Sequence, residues 1–160
     1  MMRAAAAVTA AILFSIVLGE RAQSAPLGKI VGKFEIVIER DRFTDRMETF
    51  TRTTGANRRT MTIRCGDAGL EIHLSGGAVF GVPGDRYETL IRIDRGEVVA
   101  RPARVNDAGA LRIWLGALEG EMSKGREIAF RFQNDLSDWA FDLAGAEQVL
   151  PVVASSCGAR

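Results

Sequence analysis

Apolar and polar residues alternate in several short segments, and this period of two constrains the fold more than any other feature. The alternation is found in residues 34–38, 61–65, 70–74, 87–93 and 128–132. It places apolar side chains on one face of a half-buried strand. The turn candidate Gly66-Asp67-Ala68-Gly69 separates two of these segments, which predicts an antiparallel hairpin. The chain is therefore expected to form mainly strands.

Two segments favour helix. Leu111, Trp114, Leu115, Leu118 and Met122 fall on one helical stripe, although the first turn near Leu111 fits either helix or strand, and Gly125 is a plausible stop. A second short helix is predicted from Gly145 to Cys157, with Pro151 disturbing or restarting it. Residues 134–138 are expected to form the turn of the last strand pair. The predicted fold class is mostly β (β-rich α+β), an antiparallel sandwich or small barrel with one or two short helices.

The first 24 residues have the pattern of a secretory signal peptide. Arg3 precedes the uncharged apolar run from Ala4 to Leu18, and Ala22 and Ser24 occupy the small-residue positions before a cleavage site. The run is shorter than the roughly 20 apolar residues of a membrane helix. We therefore expect cleavage after Ser24, a periplasmic location, a single mature domain over residues 25–160 and no stable membrane insertion.

The charge of the mature domain is balanced. The chain has 21 basic and 20 acidic side chains, and the leader contains two of the former (Arg3 and Arg21) and one of the latter (Glu20). The mature part therefore has 19 of each. A neutral domain has no general electrostatic attraction to nucleic acid, so no nucleic-acid partner is expected.

The two cysteines, Cys65 and Cys157, are predicted to form a structural disulfide. Oxidising compartments preserve disulfides, and two cysteines allow one intramolecular pairing. Free thiols are the alternative. The two residues are too far apart in sequence to match a known zinc-binding spacing, so no metal site is expected.

No pattern in the chain indicates a catalytic site or a cofactor. His73 is the only histidine, and the alternation places it on the polar face of its strand, where it is expected to be solvated. Carboxylate pairs such as Asp41/Asp45 fit exposed turns, and the Gly-rich loop 76–84 lacks the Lys and Ser/Thr of a phosphate-binding loop. Arg101 and Arg104 form a basic cluster, and both are expected to be ordinary surface arginines at the end of a strand. Trp114, Trp139 and Tyr87 are expected in the core.

The order of several short motifs resembles that of a known family. The motifs are Asp41-Arg42-Phe43-Thr44-Asp45, Thr62-Ile63-Arg64-Cys65, Leu70-Glu71-Ile72-His73-Leu74, Tyr87 with Ile91-Arg92-Ile93-Asp94, and Trp139-Ala140-Phe141-Asp142-Leu143, followed by a terminal helix ending at Cys157. This order, from about residue 33 to 157, resembles the small exported VasI-like proteins associated with type VI secretion loci. The resemblance implies an exported, disulfide-bearing β domain and supplies no catalytic residues.

These observations favour a non-enzymatic periplasmic binding or accessory protein of the cell envelope, with an envelope protein as partner. The VasI-like resemblance adds a link to type VI secretion as an expectation. The predicted binding residues are Arg64, Tyr87, Arg92 and Asp94, placed around one strand pair of the sheet. Two alternatives remain open. The domain could carry a small apolar ligand inside a barrel, or it could be an envelope hydrolase that uses a carboxylate pair.

Overall fold

The computed structural model describes residues 27–41, 44–76, 80–132 and 135–158. The predicted signal peptide and its cleavage site lie outside these residues. The strands are β1 (Leu27–Val31), β2 (Phe34–Arg40), β3 (Met47–Thr54), β4 (Thr60–Gly66), β5 (Gly69–Ser75), β6 (Arg86–Ile93), β7 (Val99–Val105), β8 (Leu111–Trp114), β9 (Glu127–Phe132) and β10 (Asp135–Asp142). The helices are α1 (Leu118–Met122) and α2 (Ala146–Cys157). The predicted β-rich class with two short helices is confirmed.

All ten strands belong to one antiparallel sheet, in the order β1-β2-β3-β4-β5-β8-β7-β6-β9-β10. The predicted hairpin is confirmed, since β4 pairs with β5 from Thr60↔Ser75 to Gly66↔Gly69. The chain then passes to β6, three strands away, and returns through β7 and β8 to the free edge of β5. This return places β6, β7 and β8 side by side.

The inner face of the sheet forms the core. Burial alternates along β4 and β6 as the period of two predicts, with Met61, Ile63 and Ile91 at most 1% exposed. Helix α2 covers the inner side of β3, β4 and β5 with Val149 and Val153, which are fully buried. Full burial of each such side chain contributes about 1.5–3 kcal/mol.

The sheet is curled, so that its last strand, β10, meets the connection between β3 and β4. The Arg59 guanidinium donates a hydrogen bond to the Asp138 carbonyl (2.9 Å) and lies 4.5 Å from the centre of the Trp139 ring. Gly55 is required here, since a Cβ at that position would lie 2.7 Å from the Ala140 carbonyl oxygen. Residues far apart in the strand order therefore enclose one common core.

The predicted disulfide is present and joins α2 to the sheet. Cys65 lies on the inner face of β4 and is 6% exposed, and Cys157 is the last residue of α2. Their Cα atoms are 5.3 Å apart, within the usual range for a disulfide. The covalent link keeps the C-terminal helix against β4.

The predicted helical stripe from Leu111 to Met122 is wrong in its first half. Leu111–Trp114 is strand β8, and helix begins only at Leu118. The buried residues of the first half are Leu111, Ile113 and Leu115, which are two apart, so the strand period also fits. Trp114 points outward and is 53% exposed, whereas the core was expected to contain it.

Two boundaries also differ from the sequence prediction. Strand β10 begins at Asp135, within the predicted turn, and its pairing with β9 shifts register between Asp135 and Trp139. Helix α2 runs through Pro151 without ending. Pro151 is exposed, so water can hydrate the carbonyl that its missing N–H leaves unbonded. Within the described part of the chain, neither helix has the length and apolar character needed to cross a bilayer.

Candidate functional site

Three arginines on neighbouring strands face one another on the outer side of the sheet. Arg86 of β6 lies opposite Arg104 of β7, and Arg104 lies opposite Arg112 of β8. All three are exposed. We call them the arginine row. Like charges placed directly opposite each other destabilise a sheet, so this arrangement is unfavourable unless something anionic approaches it.

Arginines elsewhere on the outer face are neutralised by glutamates. Arg52 Nε lies 2.6 Å from Glu35 Oε2, and Arg64 forms an ion pair with Glu48. By contrast, Arg86 and Arg104 form no ion pair with any residue that the structure describes. The third member of the row, Arg112, lies 3.6 Å from a Glu71 carboxylate oxygen. Positive charge is therefore in excess over β6–β8.

Next to the arginine row, a polar network fixes His73. The Asn106 side-chain oxygen accepts hydrogen bonds from the N–H groups of Ala108 (3.0 Å) and Ala110 (2.9 Å). The Asn106 NH₂ group is thus the one that donates to His73 Nδ1, at 3.2 Å. Since Nδ1 accepts, the ring proton lies on Nε2, 3.4 Å from the Glu71 carboxylate.

His73 is not the solvated residue that the sequence predicted, because its side chain is only 15% exposed. Burial lowers its pKa below the usual value, and nearby Arg64 and Arg112 act in the same direction against the opposing effect of Glu71. The ring is therefore neutral at pH 7. Both ring nitrogens are bonded within the protein, so neither is free to act as a base on a substrate.

Glu71, at 5% exposure, is the buried charge of this network, and the alternation gave no indication of it. Its carboxyl group occupies the space above Gly66, which lies on the neighbouring strand. A Cβ at Gly66 would overlap the Glu71 carboxyl group. The absence of a side chain at Gly66 thus allows Glu71 to lie along the sheet surface and reach both His73 and Arg112.

A cleft of about 120 Å³ opens on the same outer face, over β6, β9 and β10. We call it the Leu90 cleft. Its lining consists of Leu90, Ile91, Arg92, Val98, Ala129, Phe130, Arg131 and Asp138. Leu90 is 37% exposed and Val98 51%, and both are large apolar side chains. The cleft thus offers apolar surface to a partner.

Two arginines flank the Leu90 cleft, and only one of them is paired. Arg131 donates two hydrogen bonds to Asp138, at 2.7 and 3.0 Å. The hydrogen bond from Arg131 lowers the pKa of Asp138. Arg92 forms no ion pair with a described residue, although its charge also helps to lower the pKa of Asp138. Two arginines and one aspartate leave a net positive charge at the cleft.

A second cavity, of about 170 Å³, lies at the other end of the face and is lined by Gly84, Arg104, Val105, Asn106, Asp107 and Arg112. We call it the Arg104 cavity. On β8, Trp114 lies two residues from Arg112 and therefore on the same face. Its indole N–H donates to the Ala68 carbonyl (3.1 Å), which holds the exposed ring in one orientation.

The four predicted binding residues do not lie around one strand pair, so that placement is wrong. Arg64 is on β4, which β5, β8 and β7 separate from β6. Tyr87 points to the inner side of β6, and its hydroxyl donates to the Phe80 carbonyl. Asp94 follows β6, and one carboxylate oxygen accepts the N–H groups of Arg126 and Glu127, both at 2.9 Å. Only Arg92 lines the Leu90 cleft.

Sequence analysis missed the arginine row and the apolar residues around it. Arg104 was noticed with Arg101, but the two are three positions apart on β7, and alternation therefore turns them to opposite faces. The useful signal was the outward position of Arg104 and Arg112, each between buried neighbours, and of the exposed Arg86 at the start of β6. That signal becomes a cluster only when the strand order is known. The described residues contain no group of three His, Cys, Asp or Glu side chains that could hold a metal ion.

Comparison with known proteins supports the fold. No family model matches the chain, and no curated protein is detectably similar to it in sequence. The fold is similar to that of a solved structure, the crystal structure of invasion associated protein B from Bartonella henselae, with a TM-score of 0.55. The match covers 83% of this chain and 98% of that chain, at 13% identity. At this identity the similarity shows a shared fold and nothing about shared residues or partners.

Proposed function

We propose that this chain is a non-enzymatic periplasmic accessory protein that binds an acidic protein of the cell envelope at the Leu90 cleft. The observation that carries the proposal is the composition of the cleft, where exposed Leu90 and Val98 lie beside the unpaired Arg92. Such a surface is suited to a partner segment with one apolar side chain and neighbouring carboxylates.

The apolar part supplies the anchor. The cores of protein interfaces are depleted in charge and enriched in large apolar side chains and arginine, and a few well-packed residues dominate the affinity. A cleft of about 120 Å³ has room for a single side chain. Burying Leu90 and Val98 under such an anchor would remove their exposed apolar surface from water.

The charged part selects the partner. Arg92 has no ion pair at the cleft, and Arg86 and Arg104 add positive charge along β6 and β7, where the exposed Glu88 contributes one opposing charge. An excess of one charge sign accelerates association with an oppositely charged partner and disfavours like-charged ones. A cationic partner is therefore disfavoured, although the mature domain as a whole is neutral.

The Cys65–Cys157 disulfide and the predicted signal peptide support the periplasmic part of the proposal. The link to type VI secretion stays a prediction from the VasI-like resemblance. It would be supported if the partner proves to be a component of that secretion apparatus.

The proposal is tested by affinity purification of a tagged copy expressed from its native locus. Arg92→Glu reverses the charge at the cleft and is expected to abolish recovery of the partner. Lys29→Glu makes the same change in net charge on β1, nine places from β10 in the sheet, and should leave recovery intact. Equal recovery with both variants, or equal loss, would contradict the assignment of the cleft.

A carrier of a small apolar ligand is a second candidate, favoured by three buried polar atoms on the inner side of the sheet. Thr89 Oγ1, Arg101 Nε and Trp139 Nε1 have no hydrogen-bond partner among the described residues. Buried polar atoms are normally satisfied, so a ligand head group would account for these. Native mass spectrometry of the purified protein should show a bound small molecule if this candidate is correct.

A further inference from the structure

We propose that the arginine row is a second binding site, distinct from the Leu90 cleft, and that its ligand is a phosphorylated sugar. Arg104 and Arg112 would hold the phosphate group over the Arg104 cavity, and the ring of Trp114 would hold the sugar. This site goes beyond the proposed protein-binding function, and the residues that contact its ligand do not line the Leu90 cleft.

The phosphate assignment rests on charge and spacing. Arg104 and Arg112 are directly opposite on adjacent strands, which brings their Cβ atoms to about 4.5–5.5 Å. Both line the Arg104 cavity. A guanidinium binds phosphate oxygens through two parallel N–H donors, so two guanidiniums can hold one phosphate from two sides.

The amount of charge favours phosphate over carboxylate. A phosphate monoester carries about −1.5 to −2 charges at pH 7, more than the single charge of a carboxylate, so two guanidinium groups attract it more strongly. Arg104 has no ion pair with a described residue, and the Glu71 carboxylate that faces Arg112 is also shared with His73. The exposed Asp107 carboxylate at the cavity repels an anion, so the attraction of the arginines must be stronger than this repulsion.

Trp114 supplies the contact for the sugar. The residue is 53% exposed, although a tryptophan that only stabilises the fold is normally buried. Its ring packs against Gly116, where a Cβ would lie 3.2 Å from the ring, and its N–H is bonded to the Ala68 carbonyl. The ring is therefore held in place before any ligand arrives, which reduces the entropy lost on binding.

The spacing of the arginines and Trp114 suits a single ligand. Arg112 and Trp114 project from the same face of β8, two residues and about 7 Å apart along the strand. Pro102, next to Trp114 in the direction of β7, is exposed and uncharged, so the apolar surface continues beside the arginines. A hexose with a terminal phosphate can reach both contacts.

The test measures binding of four probes by NMR titration of the oxidised mature domain: glucose 6-phosphate, glucuronate, glucose and inorganic phosphate. Glucose 6-phosphate should bind at least about tenfold more tightly than any of the other three, a difference of 1.4 kcal/mol. Arg104→Thr should weaken it by a similar factor. Arg52→Thr is the matched control on β3, because Arg52 lies in the same cross-strand line but is paired with Glu35.

Trp114→Ala separates the two halves of the site. It should weaken glucose 6-phosphate and leave inorganic phosphate unchanged. The proposal is overturned if glucuronate binds as tightly as glucose 6-phosphate, if both arginine variants weaken it equally, or if Trp114→Ala has no effect on it. Folding of each variant is checked by its NMR spectrum. Loss of the protein partner in Arg92→Glu is a separate readout, so the two proposals can fail independently.

Discussion

Replacing Cys65 and Cys157 together by alanine removes the covalent link between β4 and the end of α2. The disulfide joins residues separated by 92 positions, and in the chain-entropy model a loop of that length stabilises the fold by about 4–5 kcal/mol. Helix α2 keeps its apolar contacts, because Val149, Leu150 and Val153 are at most 1% exposed. The variant should therefore fold and be much less stable, since domains of this size have a total stability of about 5–15 kcal/mol.

The assay is urea unfolding of the oxidised protein, the same protein with a reducing agent, and the double variant. With a slope of about 2 kcal/mol per molar urea, a loss of about 4 kcal/mol lowers the midpoint by about 2 M. The slope itself should rise, because the unfolded chain without the link exposes more surface. Val152→Ala, at an exposed position of the same helix, should leave the midpoint nearly unchanged. An unchanged midpoint in both the reduced protein and the double variant would show that the disulfide does not stabilise the fold.

Three further predictions concern the outer face. His73 is the only histidine, and burial lowers its pKa in the folded state, so its contribution to the free energy of unfolding should be complete above about pH 6.5 and should be lost as the pH falls from there through the folded pKa. In urea unfolding at several pH values, His73→Gln should remove this pH dependence of the unfolding free energy, and an unchanged pH dependence would contradict the prediction. Gly66→Ala and Glu71→Gln should each lower the unfolding free energy by about 1–3 kcal/mol. The double variant should lose less than the sum of the two, because both changes disturb the same contact between Gly66 and the Glu71 carboxyl group. Full additivity would count against that contact. Arg104→Thr should raise the stability at low salt by about 0.2–1 kcal/mol in thermal unfolding, because it removes the repulsion between like charges on adjacent strands. The gain should vanish near 1 M salt, where charges are screened within about 3 Å. A change that does not depend on salt would indicate an effect of packing instead.

Local alternation predicted β2, β4, β5, β6 and β9, because these strands have one face in the core and the other face more exposed. The β4–β5 hairpin followed from its turn residues, and the Cys65–Cys157 pairing from there being only two cysteines. Trp114 was misplaced because its large ring was counted as apolar on a helical stripe, although Arg112 and Trp114 are both outward positions of a strand.

The candidate site could not be predicted in this way, because it depends on which strands are neighbours. The arginine row forms only when the chain passes from β5 to β6 and returns to place β8 beside β5. The same return brings Asn106 to His73, 33 residues away in sequence, and Arg112 to Glu71. Non-local pairings of this kind leave no periodic signal in a single sequence, so His73 was expected in solvent and Arg64 was expected close to Arg92.

Site-specific photo-crosslinking from the Leu90 cleft tests the central claim most directly. A photoreactive residue is introduced at Val98 in the copy at the native locus, and a matched one at Val152 of α2, which is also an exposed valine. One dominant envelope protein should be crosslinked from Val98 and not from Val152. Mass spectrometry of the crosslinked peptide should show an acidic segment containing an aliphatic or aromatic residue. Crosslinking to the same protein from both positions, or from Val152 alone, would contradict the assignment of this face as the binding surface.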